Sequence, residues 1–163
     1  MYKRILVAVD GSDTSDLALK TAIGLAKDQK SSLRILHVAD LSPATLAVAD
    51  MPGADPDLLD KIVEAIQAGG QTILTRSLNE ARAASVEADT SLETFRIPVG
   101  QVSDVIEEQA ESWNADLIIV GTHGRRGFRR LILGSVAESL ARISTKPVLL
   151  VRAQPAKVSE SRT

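Results

Sequence analysis

The chain has 163 residues, of which 44% are hydrophobic and 2% aromatic. This length suits one domain, and a core built mainly from Val, Ile, Leu and Ala suits a parallel sheet covered by helices. The formal net charge of -2 argues against bulk nucleic-acid binding, and the lack of cysteine excludes disulfides, zinc–thiolate sites and thiol catalysis.

The first apolar run, at residues 5–9, is short and ends at Asp10, which is unlike a signal peptide. No segment approaches the ~18 consecutive apolar residues of a membrane span. We therefore expect a cytoplasmic protein that has no membrane partner and no nucleic-acid partner.

Short apolar runs alternate with helical periodicity along the chain. Strands are predicted at residues 3–10, 33–38, 92–99, 116–121 and 147–151. Helices are predicted between them at residues 13–27, from 57 to 81, 101–114 and 135–144. This alternation implies right-handed crossovers and an α/β fold with a parallel sheet and helices on both faces. The pattern alone leaves the strand order open.

Three segments depart from that rhythm. Residues 40–56 contain three prolines and no convincing period, which predicts a long loop that could include a helical turn at residues 44–49. The pair Gly69-Gly70 costs about 1 kcal/mol per residue relative to alanine and predicts a kink or a short break in its helix. Residues 153–163 are polar without an apolar run, and we expect a disordered tail there.

The first and fourth predicted strands end in unusual residues. The first ends in Asp10-Gly11-Ser12 and the fourth in Gly121-Thr122-His123-Gly124. Parallel sheets bind ligands at the carboxyl ends of their strands, where the winding direction reverses. If these two strands are neighbours, one crevice holds both ends.

The segment from Val120 to Ser135 has the features of an anion site. Gly121 and Gly124 would let the backbone approach an anion, and a helix that begins at Ser135 would favour negative charge at its start. Four arginines lie in this loop, and Arg125, next to Gly124, is the preferred phosphate contact. The alternative is that the glycines only shape turns while the arginines face water or an acidic partner.

Five segments together resemble the universal stress protein family. They are residues 5–12, Leu36-His37-Val38, the spacing Gly121-x2-Gly124-x9-Gly134-Ser135, residues 135–138 and residues 146–151. The similarity extends over residues 3–152. In this family the glycine motif marks the members that bind ATP, and the motif is complete here.

The resemblance implies a single domain over residues 1–152 with a five-stranded sheet of order 3-2-1-4-5. This is a Rossmann-like fold, as in the adenine nucleotide alpha hydrolases. It also implies a homodimer formed through the fifth strand, Pro147 to Val151, and ATP with Mg²⁺ as the ligand.

The resemblance further implies the residues of the nucleotide site. Those beside adenine and ribose would be Ala8, Val9, Asp10 and Val38. Those lining the ribose and the phosphate loop would be Val120, Gly121 and Gly124. Those holding the phosphates at the helix start would be Gly134, Ser135 and Val136. Asp10 could accept a hydrogen bond from a ribose hydroxyl or reach Mg²⁺ through water, although an Asx turn is a compatible reading. Ala8 departs from the proline of some ATP-binding members.

The leading hypothesis is an ATP-binding, dimeric regulator in the stress response that acts on an unidentified regulatory protein. The alternatives are a slow ATPase or adenylyl-transfer enzyme, a nucleotide-free dimeric adaptor, and a binder of another adenine nucleotide such as cyclic AMP. No Walker A motif is present and no nucleophile elbow frames Ser12, so no catalytic residue is assigned.

Three other features have ordinary structural interpretations. His37 and His123 are far apart in sequence and predict no dedicated metal site. Trp113 is expected to pack its helix against the core. A solvated helix face is expected for four acidic residues, which are Asp104, Glu107, Glu108 and Glu111.

Overall fold

The computed structural model describes residues 1–53, 55, 57–95, 101–122 and 133–152. The strands in these ranges are β1 (Arg4–Ala8), β2 (Ser32–Asp40), β3 (Ala88–Phe95), β4 (Leu117–Gly121) and β5 (Val148–Val151). The helices are α1 (Asp13–Gln29), α2 (Ser42–Ala49), α3 (Leu58–Ala83), α4 (Val102–Ser112) and α5 (Ser135–Ile143). Residues 96–99 of the third predicted strand and the predicted tail at 153–163 lie outside the described residues.

The five strands form one parallel sheet in the order β3-β2-β1-β4-β5. This confirms the order implied by the family resemblance. Helices α1 and α3 pack on one face of the sheet, whereas α4 and α5 pack on the other. The chain winds outward from β1 through β2 to β3 and then crosses back to β4, so the winding direction reverses between β1 and β4.

Each face of the sheet has its own aliphatic core. Side chains alternate along a strand, so Ile5 and Val7 of β1 enter the core beneath α1 and α3, while Leu6 enters the core beneath α4 and α5. All three are completely buried. Burying a side chain of this size contributes roughly 1.5–3 kcal/mol. Burial on both faces explains why these strands appear in the sequence as continuous apolar runs.

The helical turn allowed at residues 44–49 of the predicted long loop is confirmed, and it belongs to a longer helix, α2, which begins at Ser42. Pro43 lies in the first turn of this helix, where the missing N–H removes no hydrogen bond of the helix. The helix packs against α3, and this tertiary contact stabilises a helix that the weak sequence period does not predict.

The predicted break at Gly69-Gly70 is wrong, because α3 runs without interruption from Leu58 to Ala83. A Cβ atom at Gly70 would lie 2.6 Å from Cδ2 of His37 and 2.9 Å from Cδ1 of Leu92. A Cβ atom at Gly69 would meet nothing within 4 Å. Gly70 therefore lets α3 approach the sheet closely, and its helix-propensity cost is offset by packing.

The expectation of helix packing for Trp113 is confirmed, since its side chain lies against the core beneath α4 and α5. Two guanidinium groups also cover the indole ring, with the centroid 4.8 Å from Cζ of Arg34 and 5.6 Å from Cζ of Arg4. Arg34 in turn makes a two-point ion pair with Asp89 of β3, at 2.7 and 2.9 Å. Changes at the amino-terminal edge of the sheet should therefore alter the surroundings of the single tryptophan.

Glu107 does not belong to a purely solvated helix face. Its Oε1 accepts hydrogen bonds from the Thr145 N–H at 2.7 Å and from the Thr145 hydroxyl at 2.9 Å, which ties α4 to the turn before β5. Burial raises the pKa of Glu107, but hydrogen bonds from Ser144 and Thr145 and the charge of Lys146 outweigh burial and leave that pKa below its usual value. Asp104 accepts a hydrogen bond from the Gln101 N–H at 2.7 Å and so caps the start of α4.

Candidate functional site

Strands β1 and β4 are hydrogen-bonded neighbours, as the prediction of a shared crevice requires. Ile5 pairs with Leu117, and Val7 pairs with Ile119. Asp10, which follows β1, and Thr122, which follows β4, therefore leave the sheet at the same carboxyl edge. This is the point where the winding direction reverses and where open α/β sheets bind ligands.

Three of the expected site residues present side chains on one face of the sheet at this edge. Ala8, Val38 and Val120 come from three adjacent strands, and all belong to the core beneath α4 and α5. Val120 is buried, whereas Ala8 and Val38 are half-buried. They form a small aliphatic surface of the kind that packs against a planar base.

Val9 is placed differently. Its side chain is 5% exposed and lies in the opposite core, beneath α1 and α3. Its N–H donates to the Leu36 carbonyl at 2.8 Å, and its carbonyl lies 2.7 Å from Nδ1 of His37. Both backbone groups of Val9 are thus engaged in hydrogen bonds at the end of β1. Its side chain does not face the crevice.

Asp10 forms a tight turn with the residues that begin α1. Its Oδ1 accepts hydrogen bonds from the Ser12 N–H at 3.0 Å and from the Ser12 hydroxyl at 2.6 Å. Its own N–H donates to Oγ of Ser15 at 3.0 Å. Gly11 has a φ of 80°, a conformation that favours glycine. The Asx turn is therefore present, and it holds the carboxylate at the carboxyl edge of the sheet.

Packing against α1 requires glycine at position 121, whether or not an anion binds there. A Cβ atom there would lie 2.9 Å from both C and O of Thr14, and 3.1 Å from N of Ser15. These are backbone atoms of the first turn of α1, which cannot move aside cheaply. The approach of an anion to Gly121 stays a prediction, and the structure shows a separate reason for glycine here, the close approach of α1.

The start of α5 is fastened to the end of β4. The Gly134 N–H donates to the Thr122 carbonyl at 2.7 Å, and the Thr122 N–H donates to the Val151 carbonyl at 2.8 Å. Gly134 is the N-cap residue and supplies no side-chain cap. Ser135 is exposed and Val136 half-buried, and N–H groups in the first turn of a helix have no carbonyl of their own helix to bind. Together with the helix dipole, these groups favour an anion.

The remaining expected site residues, Gly124 and Arg125, lie outside the described residues, as do His123 and the other loop arginines. Among the residues that the structure describes, no three His, Cys, Asp or Glu side chains cluster as a metal site. No helix in the described ranges combines the length and the apolar character that crossing a membrane requires.

A family model described as "Universal stress protein family" matches residues 1–152. The chain belongs to the universal stress protein family. Among curated relatives, universal stress protein YxiE of Bacillus subtilis (strain 168) is 33% identical over 153 residues, which cover 93% of this chain and 100% of the relative. This confirms the resemblance drawn from the sequence motifs.

Solved structures of universal stress proteins share the fold. One from Burkholderia pseudomallei has a TM-score of 0.73 and 32% identity, and the match covers 93% of this chain and 97% of the other. Another, a universal stress protein in complex with cAMP, has a TM-score of 0.59 and 26% identity, with coverage of 93% and 97%.

Sequence reasoning about this universal stress protein missed two contacts of the site. Ser15 binds the Asp10 N–H, and His37 binds the Val9 carbonyl. His37 lies within the Leu36-His37-Val38 segment that carries the family resemblance, but nothing in the sequence indicates that its ring contacts the end of β1. Ser15 lies three positions after the N-cap residue Ser12, a spacing that predicts its N–H as the capped group but says nothing about its hydroxyl.

Proposed function

We propose that this universal stress protein binds ATP in the crevice at the carboxyl ends of β1 and β4 and acts as a dimeric, nucleotide-dependent regulator in the stress response. One observation carries the proposal. A half-buried aliphatic surface formed by Ala8 and Val38, the carboxylate of Asp10 and the uncapped start of α5 meet at one edge of the sheet.

These features match the parts of the ligand in order. The adenine ring would lie against Ala8 and Val38, and the ribose would lie near Asp10, whose carboxylate accepts hydrogen bonds. The phosphates would take the N–H groups of Ser135 and Val136 at the start of α5. Gly124 and Arg125 complete the family's ATP motif in sequence. The related protein in complex with cAMP supports an adenine nucleotide as the ligand class.

The site also fits a magnesium ion that accompanies the phosphates. Mg²⁺ prefers carboxylate, phosphate and water oxygens, and usually takes only one or two carboxylates from the protein. Asp10 is a half-buried carboxylate already oriented by Ser12. Asp10 would reach the ion through water. The phosphates of the nucleotide would supply the ligands that do not come from the protein.

The dimer is proposed to form through β5. This strand lies at the edge of the sheet, and its four residues, Val-Leu-Leu-Val, are all half-buried and apolar. An apolar edge strand is unfavourable in a monomer, because its unpaired backbone groups and side chains invite pairing. A second copy that pairs through the same strand would form a closed two-fold interface.

Isothermal titration calorimetry and equilibrium dialysis with labelled ATP and Mg²⁺ test the proposal. We expect saturable binding at one site per chain, weakened at least about tenfold in Asp10→Asn through loss of a charge-assisted contact. Asp28→Asn is the matched control, because Asp28 is exposed near the carboxyl end of α1, at the opposite edge of the sheet. Absence of retained nucleotide at millimolar ATP overturns the proposal.

The same preparation distinguishes the alternatives. Native mass spectrometry of the purified protein identifies a retained ATP, ADP or cyclic AMP by its mass. Single-turnover measurements with labelled ATP reveal released phosphate or pyrophosphate if the protein is a slow ATPase or an adenylyl-transfer enzyme. A dimer that binds no adenine nucleotide indicates the adaptor.

A further inference from the structure

His37 lies in β2 with only 6% of its surface exposed, and it contacts the neighbouring strand where that strand leaves the sheet. Its Nδ1 is 2.7 Å from the carbonyl oxygen of Val9. Because a carbonyl oxygen only accepts hydrogen bonds, Nδ1 is the ring nitrogen that carries the proton. Strand β1 ends at Ala8, so the imidazole supplies a donor just past the end of the strand.

The carbonyl of Val9 and the N–H of Asp10 belong to one peptide group. His37 binds the carbonyl, and Oγ of Ser15 binds the N–H at 3.0 Å. A peptide group is planar and rigid, so two hydrogen bonds on opposite sides fix its orientation. The direction in which the chain enters the Asp10 turn is therefore set by a side chain of β2 and a side chain of α1.

Helix α3 lies directly on the other side of the imidazole ring. A Cβ atom at Gly70 would be 2.6 Å from Cδ2 and 3.2 Å from Nε2 of His37. Gly70 is buried, whereas its neighbour Gly69 is exposed with open space around it. The ring is thus held between the backbone of α3 and the peptide that precedes Asp10.

We propose that His37 is a positioning residue for the nucleotide, which fixes the Val9–Asp10 peptide and makes the affinity for ATP depend on the seating of α3 against the sheet. This inference rests on the proposed function. Helix α2 packs on α3, so a displacement of α2 would also affect this contact. A shift of α3 against the sheet would therefore change the affinity for the nucleotide, and by linkage nucleotide binding would favour one position of α3.

Asn and Leu have nearly the same shape, and only Asn can donate a hydrogen bond, so the two substitutions at His37 separate donation from volume. His37→Asn can place its amide nitrogen near the position of Nδ1. We expect it to bind ATP within about threefold of the wild type. His37→Leu leaves the Val9 carbonyl buried without this donor, and we expect its affinity for ATP to fall about tenfold or more. Circular dichroism and thermal unfolding establish that both variants are folded.

A second pair of variants tests the contact with α3. Gly70→Ala forces a methyl group against the imidazole, and we expect the affinity for ATP to fall roughly three- to tenfold. Gly69→Ala makes the same chemical change one residue away in open space and should leave the affinity unchanged. Combining Gly70→Ala with His37→Asn should restore much of the loss, because the smaller side chain leaves room for the methyl group.

A spectroscopic measurement follows the hydrogen bond itself. In ¹⁵N-labelled protein the buried Nδ1–H of His37 should give a slowly exchanging signal that shifts when ATP and Mg²⁺ are added. Equal ATP affinity in the wild type, His37→Leu and Gly70→Ala overturns the inference while leaving the proposed function in place. Failure of the wild type to bind any adenine nucleotide overturns the proposed function instead.

Discussion

The Gly134 N–H donates a hydrogen bond to the Thr122 carbonyl across a distance of 2.7 Å. These residues are twelve positions apart in the chain, one directly after β4 and the other at the N-cap of α5. Gly121, which precedes Thr122, and Gly134, the first and third glycines of the motif, are therefore close in space. Its long spacing has a physical meaning, because both ends of the intervening segment are attached at the edge of the sheet where Asp10 emerges.

Gly121→Ala should destabilise the fold. The added Cβ would lie 2.9 Å from the backbone of Thr14, so α1 or β4 must shift, and we expect a loss of about 1–3 kcal/mol in the free energy of unfolding. Gly24→Ala is the control, because Gly24 is an exposed position inside α1 with nothing within 4 Å of the new methyl group. That change should stabilise the protein by about 0.5–1 kcal/mol. Urea titrations measure both values, and equal stability of the two variants would contradict the packing assignment.

Glu107→Gln should destabilise the protein at neutral pH but not in acid. Burial in the native state raises the pKa of Glu107, but hydrogen bonds from Ser144 and Thr145 and the charge of Lys146 together hold it below its usual value of 4.5. A carboxylate with a lowered native pKa stabilises the fold above its unfolded pKa, and this contribution disappears as the pH falls through the native pKa.

The measurement for Glu107 is the urea midpoint of wild type and variant between pH 7 and pH 3. The difference between them should shrink steadily below about pH 4.5, close to the unfolded pKa of a glutamate. Glu108→Gln, at the exposed neighbouring position on α4, serves as the control and should show a much smaller difference at pH 7. A pH-independent gap between wild type and Glu107→Gln would contradict the role of the charge.

Arg34→Lys should disturb the amino-terminal edge of the sheet despite keeping the charge. Lysine cannot form the two-point pair with Asp89 and stacks less well on the ring of Trp113, so we expect a loss of about 0.5–1.5 kcal/mol. Because Trp113 is the single tryptophan, its fluorescence should also change. Arg142→Lys alters an exposed pair with Glu138 and should change neither quantity measurably. Matching behaviour of the two variants would show that the stacking contributes nothing.

The order of strands and helices along the chain could be predicted because the strands lie between two layers of helices. Residues 5–7 are buried on both faces of the sheet and appear within one apolar run, so strands and helices are distinguishable by period. The order of strands in space is not encoded locally, and it came with the family resemblance. The site at the ends of β1 and β4 was predictable as soon as these strands were neighbours, since Asp10 and Gly121 carry the signal in sequence.

The failures of prediction concern contacts between distant segments. Gly70 is a residue type that disfavours helices, yet it is the point where α3 approaches His37 and Leu92. Helix α2 lacks a clear period and depends on its contact with α3. Val9 is next to Asp10 in sequence, but the alternation of side chains sends it to the opposite core. Local propensity contains none of this information.

Strand β5 is the proposed dimer edge. The carbonyls of Pro147 and Val151 accept hydrogen bonds from β4, so by the alternation of a strand the N–H of Leu150 points away from β4. Leu150→Pro removes that outward donor, and proline is tolerated in an edge strand on this side. We expect Leu150→Pro to be monomeric in sedimentation velocity experiments. Leu150→Ala loses the same packing against the core but keeps the N–H, and it should remain dimeric. If both variants dimerise as tightly as the wild type, the backbone of β5 does not form the interface.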